Sequence, residues 1–407
     1  MGKKVFSLCM ALVLCLGLLP VTALAAGEDA PGTLWVGQTQ ITASGYWKTT
    51  TEGNLITGSE NDYNVYYDGN GTLTLNGATI QGGTSTGSVP YGAGIYAQCN
   101  SEESVSLTIK LISENTITGF YGIYVNAEIS ADSYGTDASL TITGESNGSL
   151  KVSGSYHGIY VKSGTGGASL NINDASVVAS SSSSYSSYAG VYVQSSAHAT
   201  SSPQLSLKVN GGSLTASGGD GISFNVGRFG DIGATTSLTI SDNAIVRAEN
   251  GINAYRVDKP TPSGTGIVFN DKKGTVYDDV TLQEDLTIGE DESLTIPDGS
   301  SLDTNGKLTN DGMIINNGTL TGEVGGSGTV TPKITTDSPL PEGTVGESYT
   351  ATLQATGNNI AWSASGLPDG LTLNENTGTI SGTPTKEGTF NFTVTATNSA
   401  GNASKEY

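Results

Sequence analysis

Gly94-Ile95-Tyr96, Gly122-Ile123-Tyr124, Gly158-Ile159-Tyr160, Gly190-Val191-Tyr192, Gly221-Ile222-Ser223 and Gly251-Ile252-Asn253 are variants of one phrase. Successive copies stand about 30 residues apart, too short a unit to enclose a core of its own. Such a unit buries its apolar face only by stacking on its neighbours. Working outward, each unit holds two further apolar runs. One reads Ser-Leu-Thr-Ile: Ser106 to Ile109, Ser139 to Ile142, Ser169 to Ile172, with variants at Leu205 to Val209 and Ser237 to Ile240. Thr72 to Leu75 is an earlier copy. The other run follows a turn: Ser149 to Val152, Ser176 to Ala179, Ser213 to Ala216 and Ala244 to Ala248.

Alternate strand residues share a face, so Leu107 and Ile109, Ile95 and Ala97, Ile159 and Val161, and Val191 and Val193 are the expected core. No helix-period stretch interrupts these runs. Three short runs per unit, divided by Gly, Ser, Asn and Asp, predict one coil of a parallel β-helix over residues 30–263. From Gly264 the rhythm shortens. Val280-Thr281-Leu282, Leu286-Thr287-Ile288, Leu294-Thr295-Ile296 and Leu302 recur every few residues, followed by Leu308, Ile314 and Leu320. Residues 264–330 therefore read as a short-repeat tail, one strand per repeat, that caps an otherwise open strand edge.

The SLTI and GIYV-type motifs between Leu34 and Val330 resemble right-handed parallel β-helix, pectate-lyase-like surface proteins of Gram-positive gut bacteria. From 331 to 407 the pattern changes. Tyr349, Ala351, Leu353 and Ala355 alternate on one strand, and Phe390, Phe392, Val394 and Ala396 on another, with Trp362 as a core plug. The run Leu367-Pro368-Asp369-Gly370-Leu371-Thr372-Leu373 through Gly378-Thr379-Ile380-Ser381-Gly382-Thr383-Pro384 closely resembles the Ig-like, cadherin-like module of bacterial proteins. That resemblance implies a β-sandwich. Its last strand is expected near Ser404, so the module reads as truncated. The expectation for the whole is all-β: a parallel β-helix, right-handed as the resemblance implies, followed by an Ig-like sandwich.

Residues 1–26 read as a signal peptide. Lys3 and Lys4 precede the apolar stretch Val5 to Leu19, Pro20 breaks it, and Ala23-Leu24-Ala25 offers the small-x-small cleavage site. Cys9 and Cys15 lie inside the apolar stretch without the small residues of a lipoprotein signal. Cleavage leaves Cys99 alone, which excludes an intramolecular disulfide and predicts a buried or incidental thiol. No later segment is apolar enough to span a membrane. Leu340-Pro341-Glu342-Gly343-Thr344 is not a sortase signal, because its last two residues are transposed and no apolar, basic tail follows. Export without disulfides points to a secreted or surface protein of a Gram-positive bacterium. The chain has 17 basic and 38 acidic residues, net −21. Nucleic acid and anionic lipid are therefore unsuited as partners.

Parallel β-helices also carry polysaccharide lyases and glycosidases, so an enzyme is the rival reading. Its residues would be Arg228, Arg247 or Arg256 beside Asp220, Asp231 or Asp242, and Arg228 with Asp231 could share a loop. The better reading of these residues is solvated charges in coil loops, since no catalytic signature of those families is present. His157 and His198 read as surface residues in different units. The cadherin-like resemblance raises calcium, but Asp369, Glu375 and Glu387 are dispersed, so no cofactor is assigned.

The aromatic residues carry the functional expectation. If Ile and Val of the phrase point inward, Phe120-Gly122-Tyr124, Tyr156-Gly158-Tyr160 and Tyr188-Gly190-Tyr192 point outward, with Tyr96 extending the column. Strands in register lie about 4.8 Å apart, so the rings would form two columns flanking a glycine floor. That array suits a sugar ring, which stacks its C–H face on an aromatic ring while tyrosine hydroxyls bond its own. Stacked tyrosines also stabilise a repeat array with no ligand at all. The expected function is non-catalytic binding or adhesion at the cell surface, with a glycan or host polymer as partner. The enzyme and the passive structural stalk are its rivals.

Overall fold

The computed structural model describes residues 30–83, 92–99, 103–128, 136–145, 148–185, 187–196, 202–227 and 233–407. The predicted signal peptide lies outside them. Every regular element among the described residues is a strand.

Equivalent runs of successive units pair in parallel and in register. Leu107, Leu140, Leu170, Leu207 and Leu238 form one row, and Ile109, Ile142, Ile172, Val209 and Ile240 the row beside it. The phrase makes another row: Ile95, Ile123, Ile159, Val191, Ile222 and Ile252. All these side chains are buried in one cluster that runs from Leu34 to Val268. A one-residue slip would turn every one of them to the outside, so burial itself holds the register.

The runs are not always separate strands. The second and third join in Glu114–Asn126 and Ser149–Ser163. The first and second join in Ala168–Ser181, Gln204–Ser217 and Thr235–Ala248. Where the second and third join, the pairing register shifts between Gly119 and Tyr121. Glycine is required just past that bend. A Cβ on Gly122 would overlap the Val152 side chain and the Gly158 carbonyl, and one on Gly158 would lie 2.7 Å from Gly190 O and Ser180 N. Gly122→Ala is expected to destabilise the fold by about 1–3 kcal/mol through overpacking. Urea denaturation followed by far-UV circular dichroism measures it.

The N-terminal region departs from the repeat expectation. Thr33–Val36 pairs antiparallel with both Thr39–Ile41 and Ile95–Gln98. Gly45–Thr49, Leu55–Thr57, Val65–Tyr67 and Thr72–Leu75 are linked by antiparallel pairings. Parallel pairing begins where Thr72–Leu75 meets Val105–Leu111 and Thr79–Gln81 meets Glu114–Asn126. The first rungs are thus covered by an antiparallel meander.

At the other end one sheet is buried on both faces. Ala244, Val246, Ala248 and Val268 enter the first core, whereas Ile245, Ile267 and Phe269 enter a second. This explains the unbroken apolar stretch Ile267-Val268-Phe269, since a strand covered on both sides does not alternate. Pro262–Asn270 then pairs antiparallel with Lys273–Tyr277, and the short repeats follow. They build three parallel ladders, exemplified by Asp279–Thr281 with Ser301–Asp303, Leu286–Ile288 with Leu308–Asn310, and Ser293–Ile296 with Met313–Asn316. Arg247 clamps the junction. Its guanidinium lies 3.9 Å above the Phe269 ring and 2.6 Å from Glu292, and it donates to Thr287 O.

The C-terminal segment forms an Ig-like module. Tyr349–Thr352, Thr379–Gly382 and Leu371–Leu373 make one three-stranded sheet, and Ala361–Ser365, Thr393–Asn398 and Gly401–Glu406 another. Trp362 is in the core with Leu353, Ile380, Val394 and Ala396, while Phe390 is exposed. The last strand starts at Gly401 rather than Ser404 and pairs along its whole length. Asn398 Nδ2 donates to Val330 O at 2.7 Å, and Asn358 Nδ2 to Gly328 O at 2.9 Å, tying the module to the end of the tail.

Candidate functional site

The outward side of the phrase carries the aromatic residues, in register as the repeat requires. Tyr96, Tyr124, Tyr160 and Tyr192 are successive partners. They form a cluster of their own, separate from the main core. The Tyr124 and Tyr160 rings stack at 4.6 Å and 3°. Tyr96 meets Tyr124 edge-on at 5.4 Å, and Tyr192 meets Tyr160 at 5.1 Å.

The expectation of an open ring platform fails for this inner column. Exposure is 1% for Tyr96, 4% for Tyr124, 7% for Tyr160 and 8% for Tyr192. The bend before the phrase is the physical reason. It turns the preceding residue onto the same side, so Tyr121 packs 5.0 Å from Tyr124, and His157 stacks on Tyr192 at 4.4 Å and 5°. Trp35, on the N-terminal strand opposite Tyr96, packs against the same cluster. The glycine floor fails for the reason given above: the bare side of Gly122 and Gly158 is filled by neighbouring protein.

Three phenols of the inner column meet amides. Asn126 Nδ2 donates to Tyr96 OH at 3.4 Å, Tyr160 OH donates to Gln194 Oε1, and Asn225 Nδ2 donates to Tyr192 OH at 2.6 Å. Burial pushes the Tyr192 phenol up to about 12. His157 is not the surface residue that its sequence neighbourhood suggested. It is buried, and its Nδ1 accepts the Ala189 N–H at 3.0 Å. Burial lowers its pKa to about 4, so the ring is neutral at pH 7.

A second column stays at the surface. Phe120, Tyr156 and Tyr188 are half-buried, and Tyr185 is 73% exposed. Phe120 and Tyr156 stack at 5.7 Å and 26°, and Tyr188 meets Tyr156 edge-on at 4.7 Å. Tyr121 stacks on Tyr156 at 5.7 Å and joins the columns. The inner column therefore buttresses the outer one. Sequence reasoning missed Tyr121, His157 and Tyr185. Reading the phrase one residue earlier would have found the first two, since Ala93, Tyr121, His157 and Ala189 all precede the glycine.

The charged candidates do not converge. Arg228, Asp231 and His198 lie outside the described residues. Arg247 is held by Glu292 and Phe269. Asp220 is buried rather than solvated. It accepts from Asn253 Nδ2 and Tyr255 OH, both at 2.8 Å, and burial raises its pKa. Asp242 is exposed, with positive φ, at the register shift within Thr235–Ala248. Cys99 is buried, its thiol faces Ala127 O at 3.4 Å, and burial raises its pKa. Asp369 pairs with Lys386 at 2.6 Å, while Glu375 and Glu387 are exposed. Among the described residues no three His, Cys, Asp or Glu side chains gather as metal ligands. No described helix is long and apolar enough to cross a membrane.

Residues 331–407 match the family described as "Putative Ig domain". No curated protein matches the chain. Two solved structures from Bacteroides fragilis share a short stretch with it. One is titled a putative alpha-galactosidase, at 33% identity, and the other a putative alpha-galactosidase/melibiase, at 28%. Each alignment covers 15% of this chain and 14% of the other, with a TM-score of 0.15. The chain thus spans a small fraction of either relative, and a likeness of that extent transfers neither fold nor activity.

Proposed function

We propose that residues 30–330 wind as a right-handed parallel β-helix with a narrower tail, and that the protein is an exported bacterial surface protein that binds carbohydrate without catalysis. Parallel strands joined by crossovers are overwhelmingly right-handed, and the in-register ladders support the coil. Export rests on the Lys3-Lys4, apolar and Ala-Leu-Ala pattern of residues 1–26. The binding edge is Phe120, Tyr156, Tyr188 and Tyr185, and the Ig-like module is the spacer. The observation that carries this reading is the half-exposed outer column, stacked on rings too well packed to yield. Ring faces at the surface offer C–H stacking, and phenols at their tips exchange hydrogen bonds with sugar hydroxyls.

Burial of Tyr96, Tyr124, Tyr160 and Tyr192 favours a second reading, a passive stalk whose aromatic residues are structural. The enzymatic rival has Arg247 and Asp220 engaged in hydrogen bonds inside the fold. A glycan array decides between binder and stalk. The mature chain is compared with Phe120→Ala/Tyr156→Ala/Tyr188→Ala, checked for folding by circular dichroism. Binding by the parent that falls at least tenfold in the variant is the expected result. No binding by either, or equal binding by both, returns the outer column to a structural role.

A further inference from the structure

The antiparallel meander carries an aromatic group of its own. Tyr46 and Tyr66 are direct partners across the pairing of Gly45–Thr49 with Val65–Tyr67. Their rings stack at 4.5 Å and 24°, and Tyr63 lies 5.2 Å from one and 6.3 Å from the other. All three are half-exposed, and none belongs to any of the core clusters. A cross-strand tyrosine pair stabilises a sheet by itself, so the rings alone decide little.

What lies beside them adds a second observation. Tyr66 pairs with Thr74 and Thr74 with Lys110, and the same outward row runs on to Ser241. A neighbouring outward row runs from Thr72 through Lys208 to Thr239. From Thr72 and Thr74 onward every residue of these two rows is Thr, Asn, Ser or Lys, and all but the buried Thr108 reach the surface. None is Asp or Glu, in a chain whose acidic residues outnumber basic ones 38 to 17. From Tyr46 to Ser241 the strip is about 34 Å long at ~4.8 Å per strand. Hydroxyls and amides both donate and accept hydrogen bonds, which is the need of a chain of sugars. With only two lysines, the strip lacks the dense positive charge that an anionic polymer calls for.

We infer that Tyr46, Tyr63 and Tyr66 anchor one end of a neutral linear polysaccharide, whose following sugars lie along the acid-free strip toward Ser241. This site shares its ligand class with the proposed function but none of its residues. Native gels cast with mixed-linkage β-glucan, xylan or pullulan test it, with polygalacturonate as the anionic counterpart. The parent is expected to be retarded by at least one neutral polymer, equally at low and high salt. Tyr46→Ala/Tyr66→Ala is expected to weaken that retardation at least tenfold. Asn173→Asp, an isosteric change that touches no ring, places a charge in the strip and is expected to weaken it severalfold. It keeps the test decisive should the tyrosine variant misfold. Phe120→Ala/Tyr156→Ala/Tyr188→Ala is expected to be retarded like the parent. Retardation by no neutral polymer overturns the inference, as does retardation by polygalacturonate alone or undiminished retardation of both Tyr46→Ala/Tyr66→Ala and Asn173→Asp. Loss confined to the Phe120 variant would leave the proposed function standing and this site refuted.

Discussion

Lowering the pH from 7 toward 4 is expected to cost about 3 kcal/mol of stability through His157 alone. The ring titrates at about 4 in the folded protein against 6.5 when free, because burial disfavours its cation. Between those values the unfolded chain binds the extra proton, so stability rises with pH there. The full contribution is present above pH 6.5 and is lost as pH falls through that window. Geometry points the same way. Nδ1 accepts the Ala189 N–H, and a proton on Nδ1 would expel that donor. Tyr121, Tyr160, Tyr188 and Tyr192 surround the ring and offer no counter-charge in this range. Asp220 acts with the opposite sign: its pKa is raised, so protonation relieves a cost as pH falls. The difference between parent and His157→Gln removes that background. Urea midpoints for both at pH 7 and pH 4.5 are the measurement, and parallel pH profiles would refute the assignment.

Phe269→Ala is expected to be the most damaging single truncation, at about 3–5 kcal/mol. The side chain is fully buried in the second core. It sits on the sheet that separates that core from the first, and its ring lies beneath Arg247. Truncation leaves a cavity and also removes the surface against which the Arg247–Glu292 pair is held. Phe390→Ala, on the exposed side of the Ig-like module, is the matched control and should fall within about 1 kcal/mol of the parent. Equal losses for the two would mean that the shared sheet is not the critical support described above.

The rows of Leu and Ile were legible in the sequence because two periods coincide there. Alternation assigns Leu107 and Ile109 to one face, and the repeat places Leu140 and Ile142 beside them. The Ig-like module was legible through Trp362 and the Leu367 to Pro384 run. Inside and outside were thus readable, but outside did not mean solvent. Tyr124 does face away from the main core, yet Tyr121 and His157 close over its column after a bend that alternation does not encode. The meander was missed because Thr33–Val36 finds Ile95–Gln98 by antiparallel pairing, which leaves no periodic trace. The shared sheet was missed because Ile267-Val268-Phe269 reads as one apolar run whether one core or two receive it.

The in-register ladders have a mechanical consequence. Each unit of about 30 residues advances the stack by only ~4.8 Å, yet pulled straight it spans about 100 Å. Tension along the stacking direction loads the rungs between successive units across the strands, so the rungs open in succession rather than shearing together. Pulled along that direction, the protein would respond to a sudden load by letting out slack. Each unit released would add about 95 Å to its length, some twentyfold what that unit spans in the stack.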